Sequence, residues 1–534
     1  MISKAERSIE YMGIYVNPSN KAFTKALNSK IYIDKTKLIA IVNDRLGTSD
    51  CYLCVSRPRR FGKSMAADML VAYYSKGCDS SELFIGKEIE KDELFKAHLN
   101  QHNVIRLDMQ QFLFHTSHLN IFIDQIQKAV IKELRLEFGN CFEINEYGLQ
   151  GVLKQLYANK GESFIIILDE WDCVFRLAKE QKKIQKDYLD FLRGLFKGNE
   201  YVDLAYMTGI LPIKKYGEHS AINIFDEYSM LDSADLAEFF GFTEKEVLAL
   251  CLEKDIDFTK LQQWYDGYIL NKIHIYNPKS VTDVIKRGNF KSYWTGTETY
   301  EALKVYIDLN FDGLKEAITA MLGNCHCKID PSTFQNDMTT LQSKDDVLTL
   351  LVHLGYLAYD ETLEEVRIPN HEIMQEFIRS IKVGGWDGLM QSLNRSEALL
   401  KSTWALDEKA VAKELEEIHN SMTSILKYND ENSLTCTILI AYYSAKKYYM
   451  DPLMELPSGK GFVDVVYLPQ RNIDKPALLI ELKWKKSAIG AIQQIKEKQY
   501  TSWLEGYTGN ILLLGINYDV SKGHECIIEK YQKK

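Results

Sequence analysis

Two stretches of this chain carry residue types that handle phosphate. In SRPRRFGKS (56–64), Gly62, Lys63 and Ser64 form a GKS. A glycine there lets the backbone approach a phosphate, and the helix expected to follow offers free N–H groups and a positive dipole. Lys63 is placed to reach the β- and γ-phosphates of ATP, and the Ser64 hydroxyl to ligate Mg2+. The spacing departs from GxxxxGK[ST], because Arg57 stands where the first glycine is expected. A bare GKS also fits an ordinary helix start. Further on, FIIILDEWD (164–172) closes a strongly apolar run with Asp169 and Glu170. These suit a carboxylate that supports Mg2+ and one that polarises an attacking water; the plain alternative is a pair of helix-capping carboxylates. Together the two stretches favour nucleotide binding over both plain readings. Thr208, near the end of LAYMTG (204–209), is a further candidate, as a sensor of the γ-phosphate. Arg59 and Arg60, with Arg57, add charge where phosphates would lie, for a finger-like role or for pairing with a carboxylate or solvent.

A second constellation lies near the C-terminus. Asp464 sits within FVDVVYL (462–468), and Glu481 and Lys483 are two apart in ALLIELKW (477–484). Alternate residues of a strand share a face, so Glu481 and Lys483 point the same way. Antiparallel pairing of the two stretches would bring Asp464 beside them. Two carboxylates suit a divalent metal, and a lysine beside them suits water activation for attack on a phosphodiester. An E-x-K pair on a strand is more often a surface ion pair, but the apolar residues flanking IEL argue for burial, where carboxylates need a partner or a metal. Gln494 follows on the next helix, with Lys496 and Lys498 beyond it.

The elements that must position these residues follow from apolar periodicity. CYLCV (51–55), VIRLDM (104–109), FIIILD (164–169) and LAYMTG (204–209) are expected as buried strands, with helices over 64–76, 118–138 and 184–197. That alternation implies a parallel sheet with helices on both faces. From about 232 to 380 the pattern is mainly helical. Helices over 408–428 and 431–449 then precede the pair 462–468 and 477–484, a helix over 486–504 and a strand over 510–516.

The chain has 534 residues, with 65 Lys+Arg against 74 Asp+Glu and a net charge of -9. Bulk charge therefore argues against coating of nucleic acid, though not against a local basic groove. The last stretch, 476–534, holds nine Lys/Arg against six Asp/Glu, a balance of +3. No apolar run reaches the roughly 18–20 residues of a membrane span, and the N-terminal residues carry no apolar signal core, so a cytoplasmic protein is expected. Ten cysteines are too sparse for a disulfide scaffold. Cys51 and Cys54 read as buried strand residues, and the Cys325–His326–Cys327 cluster is assigned no metal.

RPRRFGKS, LDEWD, the MTG strand end, WYDGY (264–268), YNP (276–278), LGYL (354–357) and IPNHE (368–372), followed by YNDENSL (428–434), SGKGFVDVV (458–466), IELKW (480–484) and AIQQIKEKQY (491–500), resemble the AAA-ATPase-like proteins of bacteria over nearly the whole chain. In that family a P-loop ATPase is joined to a C-terminal nuclease of the PD-(D/E)XK superfamily. The resemblance implies an α/β fold: a P-loop NTPase parallel sheet (1–231) with a mainly helical lid (232–385), plus an α/β restriction-endonuclease-like domain (386–534). It implies Lys63, Ser64, Asp169 and Glu170 for ATP and Mg2+. It also implies Glu431 on the first nuclease helix, Asp464, Glu481 and Lys483 at a metal, and Gln494 on the next helix. Many relatives carry arginine after the second glycine (GxGRxD), where this chain has Phe462. WYDGY, YNP and IPN are expected to be turns that close the lid on the core, with Asp266 structural. The expected activity is ATP hydrolysis coupled to Mg2+-dependent cleavage of DNA, with ATP state gating the nuclease and homo-oligomers as an open arrangement. The rival is an ATP-switched binding protein whose nuclease-like fold does not cleave.

Overall fold

The computed structural model describes residues 13–115, 119–213, 222–294, 300–309, 311–335, 338–422, 431–458, 461–471, 473–498, 507 and 509–531. The chain divides into two compact units, 1–297 with 328–373, and 298–327 with 374–534.

The first unit is built on a parallel sheet of β1 (Tyr52–Ser56), β2 (Asn103–Asp108), β3 (Phe164–Asp169), β4 (Val202–Gly209) and β5 (Asp226–Tyr228), in the order β2-β3-β4-β1-β5. Its apolar runs are buried on both sides. Ile165 and Ile167 of β3 enter one core cluster, while Phe164, Ile166 and Leu168 enter another. Period-2 alternation thus feeds two helical layers from one strand. The helices α1 (Lys63–Tyr74), α2 (Phe122–Phe138) and α3 (Lys182–Phe196) match the expected ones with their ends shifted by up to four residues. Met109, expected as strand, instead begins a helix, Met109–His115. The charged three-residue edge strand β5 has no apolar run to announce it.

Beyond the sheet, β6 (Phe242–Thr243), α4 (Glu244–Lys254), α5 (Phe258–Tyr265), β7 (Tyr268–Leu270), β8 (Ile273–Tyr276) and α6 (Pro278–Arg287) follow in order. Thr243 and Glu246 form a capping box on α4, and Asn277 caps α6 with Pro278 in its first turn. The YNP motif is therefore a helix start.

The second unit holds a mixed sheet of β9 (Leu453–Ser458), β10 (Gly461–Tyr467), β11 (Ala477–Trp484), β12 (Ile511–Asp519) and β13 (Gly523–Lys530). Neighbours are antiparallel except β11 and β12, which run parallel. A parallel pair needs a crossover, and α8 (Ala488–Glu497) lies on it, burying Ile492 and Ile495 against Val463, Leu479 and Leu513. Helices Asp387–Trp404, Glu408–Met422 and α7 (Glu431–Ala441) precede the sheet, and Tyr300–Ile307 and Leu314–Leu322 belong to the same unit. The expected 408–428 and 486–504 helices extend into 423–428 and 499–504, outside the described residues. No described helix is long and apolar enough to cross a membrane.

Candidate functional site

β1 delivers the chain into the loop 57–62, and α1 begins at Lys63. Gly62 caps α1 in the left-handed region at φ 92°, with no atom within 4 Å of where a Cβ would stand. Backbone conformation, not crowding, is what selects glycine there. A cavity of about 400 Å³ opens at this point, lined by Arg59, Arg60, Gly62, Lys63, Ser64 and Glu170 together with Met65 and Gln110. Six residues singled out from the sequence thus meet on one cavity. Lys63 is buried and its Nζ donates to the loop carbonyls of Arg57 (2.9 Å) and Pro58 (3.0 Å), using two of its three N–H donors. Burial pushes its pKa down, against the pull of Glu170 and Asp169.

Arg57 is not part of this cavity. It is fully buried, its guanidinium donating to the carbonyls of Ser56 (3.0 Å) and Tyr228 (2.8 Å) and resting 5.6 Å from the Phe240 ring centroid. Desolvation lowers its pKa to about 10. The residue in place of the usual glycine is therefore a pillar tying the loop to β5, not a phosphate-facing cation.

The acidic turn after β3 is held from below. The Thr208 hydroxyl, fully buried, donates to Asp169 Oδ1 and accepts from the Glu170 N–H at 3.4 Å. Thr208 therefore sits against the acidic pair and is not among the cavity-lining residues. Asp169, 2% exposed, also lies 3.6 Å from Arg106, which pairs with Asp68 at 3.0 Å. Glu170 adopts φ 56°, a strained conformation for a non-glycine residue, and is gripped by Arg176. Arg176 in turn donates to Asp172 at 2.9 Å, and Asp172 accepts the N–H groups of Ile210 (3.1 Å) and Leu211 (2.9 Å) beyond β4. Burial raises the pKa of Glu170, opposed by Lys63 and Arg176. Arg106, Arg176 and Gln110 escaped the sequence reading; the charge of Arg106 inside the apolar β2 was the available signal.

A second cavity of about 410 Å³ shares Arg60, Gly62 and Met65 with the first and is walled mainly by apolar side chains, among them Ile31, Ile33, Phe61, Met69 and Phe242. The cavity lined by Arg59, Lys63 and Ser64 and an apolar recess thus adjoin across Gly62. The motifs WYDGY and LGYL reach the same loop, and IPN braces WYDGY. Tyr268 packs edge-on against Phe61 with centroids 5.6 Å apart and donates to the Gly355 carbonyl at 2.5 Å. Gly355 lies against Pro58, and the Gly241 N–H donates to the Phe61 carbonyl at 2.9 Å. Arg367 and Asn370 donate to the carbonyls of Gly267 (2.9 Å) and Asp266 (2.7 Å).

In the second unit, β10 and β11 pair with Val465 opposite Ile480. An Asp464 carboxylate oxygen accepts the Leu482 N–H at 2.7 Å, which puts Asp464 beside the E-x-K pair as expected from antiparallel pairing. Lys483 Nζ lies 2.7 Å from Glu481 Oε1, and Gln494, reaching over from α8, donates to the same oxygen. Glu481 is 1% exposed and its Oε2 is buried with no hydrogen-bond partner. Burial, reinforced by the Asp464 charge and opposed by Lys483, pushes the Glu481 carboxyl up to about 7. A buried carboxylate oxygen with no hydrogen-bond donor, with a second carboxylate next to it, fits a divalent cation such as Mg2+. Glu431 heads α7, and its side chain lies outside the described residues, as do Gly459 and Lys460 of the SGKGF segment. Phe462, in the place of the arginine of GxGRxD, is 59% exposed.

Residues 21–217 match the AAA-ATPase-like family, described as Predicted AAA-ATPase, and residues 429–530 match the PD-(D/E)XK nuclease superfamily. The chain therefore joins an AAA-ATPase-like domain to a C-terminal domain of the PD-(D/E)XK nuclease superfamily. A protein of Azotobacter chroococcum mcd 1, described as an uncharacterized protein in vnfD 5'region, is 22% identical over 515 residues, covering 91% of this chain and 92% of its own length. Among solved structures, Cdc6p of Pyrobaculum aerophilum is 10% identical with a TM-score of 0.24, covering 68% of this chain and 98% of its own. The Aeropyrum pernix ORC2 protein (ADPNP-ADP complexes) is 11% identical with a TM-score of 0.29, covering 67% and 98%. At such TM-scores the likeness says nothing about activity.

Proposed function

We propose that the protein binds and hydrolyses ATP in its first unit and cleaves DNA in its second with Mg2+, the nucleotide state gating the nuclease. The observation that carries the nuclease reading is the orphaned Oε2 of the buried Glu481, beside Asp464 and within reach of Lys483 and Gln494. Mg2+ held by Asp464 and Glu481 would neutralise charge that builds up on the scissile phosphate. Lys483 orients the attacking water, Gln494 fixes the Glu481 carboxylate, and Glu431 is the family-implied residue on α7.

On the ATPase side, Lys63 and the backbone N–H groups at Gly62–Ser64 receive the phosphates, with Arg59 and Arg60 adding positive charge along the cavity wall. Ser64 and Asp169 are the residues to hold Mg2+. Glu170, its basicity raised by burial, accepts a proton from water or orients it. Thr208 acts by holding the Asp169–Glu170 turn, and the apolar recess next to Gly62 is the place for the base.

Cleavage of labelled DNA by wild type, Asp464→Ala and Lys483→Ala, with and without Mg2+ and with ATP or ADP, tests this reading. Metal-dependent cutting lost in both variants is expected; equal cutting in both overturns it. Lys63→Ala tests the loop, with ATP affinity expected to fall at least tenfold. The exposed Phe462 favours a second reading, in which the nuclease-like fold binds DNA or a protein without cleaving it. That reading predicts DNA retention with no cleavage under any divalent metal.

A further inference from the structure

Away from both sites, three potential metal ligands converge in the first unit. Glu244 opens α4, Asp266 follows α5, and His274 lies on β8. One donor atom from each falls within 4.8 Å of the others, the one such group of three among the described residues. His274 Nδ1 lies 2.9 Å from Asp266 Oδ2. That contact alone would make an ordinary ion pair, but one further observation exceeds it. Asp266 is 8% exposed, and its Oδ1 is buried with no hydrogen-bond partner. The Tyr276 hydroxyl, wholly buried, faces the same Asp266 carboxylate. A buried carboxylate oxygen left unsatisfied is destabilising, and a bound cation removes that cost.

The backbone is built to present Asp266. Its N–H donates to the Gln262 carbonyl at 3.0 Å, and its carbonyl accepts the Asn370 amide at 2.7 Å. Gln262 also donates to one Glu244 oxygen at 3.2 Å. His274, with 42% of its side chain exposed, opens the cluster to solvent.

We propose that Glu244, Asp266 and His274 bind a divalent transition-metal cation, Zn2+ or Mn2+, at a site separate from the phosphate cavity and from Asp464–Glu481. One imidazole with two carboxylates selects such ions over Mg2+, which prefers all-oxygen octahedral surroundings. The cation pins the WYDGY turn to β8 and α4, and through Tyr268 on Phe61 it steadies the phosphate loop. It explains a motif that has no chemistry in either proposed reaction.

The test uses the full chain carrying Asp464→Asn and Glu481→Gln, so that the nuclease site contributes no metal, without nucleotide and in excess Mg2+. Equilibrium dialysis against Zn2+ and against Mn2+ is expected to retain one equivalent of at least one of them and to raise the thermal midpoint. Glu244→Gln and His274→Gln, both at partly exposed positions, are each expected to weaken retention at least tenfold and to abolish the midpoint shift while circular dichroism stays unchanged. No retained equivalent of either ion, or retention unaltered in both variants, overturns the proposal. Should one variant unfold, the other decides.

Discussion

Lys483 and Glu481 meet through a single oxygen: Nζ stands 2.7 Å from Oε1, while Oε2 receives no hydrogen bond. Because burial pushes this carboxyl up to about 7 from an ordinary 4.5, the folded protein holds a proton there that the unfolded chain has lost. The stabilisation is full below about pH 4.5 and is lost as pH rises through about 7, an effect of about 3 kcal/mol at most. Denaturant unfolding in a chelator is expected to show stability falling over that window, and Glu481→Gln to flatten the fall. Metal-dependent cleavage should move the opposite way, rising through about pH 7 as the carboxylate becomes free to ligate.

Glu170 and Arg176 separate binding from turnover. Glu170→Gln keeps the shape of the cavity wall but cannot accept a proton. ATP affinity is expected to stay within about threefold, while turnover falls about 10²–10⁴-fold, the usual worth of a positioned base. Arg176→Met strands Asp172, buried beside it, and the partly buried Glu170. It is expected to cost about 3–5 kcal/mol, read from the denaturation midpoint.

The parts legible in the sequence were those where local pattern and chemistry coincide. FIIILD is apolar on both faces, and that dictates a central strand whose end must carry Asp169. Asp464 lands beside Glu481 because two alternating stretches pair across one turn. What stayed hidden depends on long-range placement. Arg176 reads as a helix residue until Asp172 and Glu170 are seen against it. The strands β9 and β13 lie at the edges of their sheet, and neither has a long apolar run to announce it. His274 and Glu244 are thirty residues apart, so nothing local joins them to Asp266.

Arg57 makes the sharpest contrast with the phosphate-loop pattern. Arg57→Gly restores the usual glycine, yet it removes the group that bonds Ser56 and Tyr228 and stacks on Phe240. Emptying that volume is expected to destabilise the protein by about 3–5 kcal/mol with no gain in ATP affinity. Calorimetric unfolding and nucleotide titration of the same variant decide it; tighter ATP binding at unchanged stability contradicts the pillar assignment.

Gly267 gives the strictest steric prediction. Its φ of 113° is a conformation that side chains with a Cβ rarely adopt, and a Cβ there would stand 2.0 Å from the Pro369 carbonyl oxygen. That obstacle is backbone, held in place by Arg367 and Asn370 donating to the neighbouring carbonyls, so it cannot swing aside. Gly267→Ala therefore strains the turn and pushes the IPN segment away from WYDGY, at a cost of at least about 2 kcal/mol. Tyr268 is displaced with the turn, and its contact with Phe61 loosens the phosphate loop. The expected outcome is a lower thermal midpoint together with weaker ATP binding, whereas Tyr268→Phe, which keeps the ring and loses only the bond to Gly355, weakens ATP binding less. Equal ATP affinity in wild type and a folded Gly267→Ala variant would show that this turn does not support the loop.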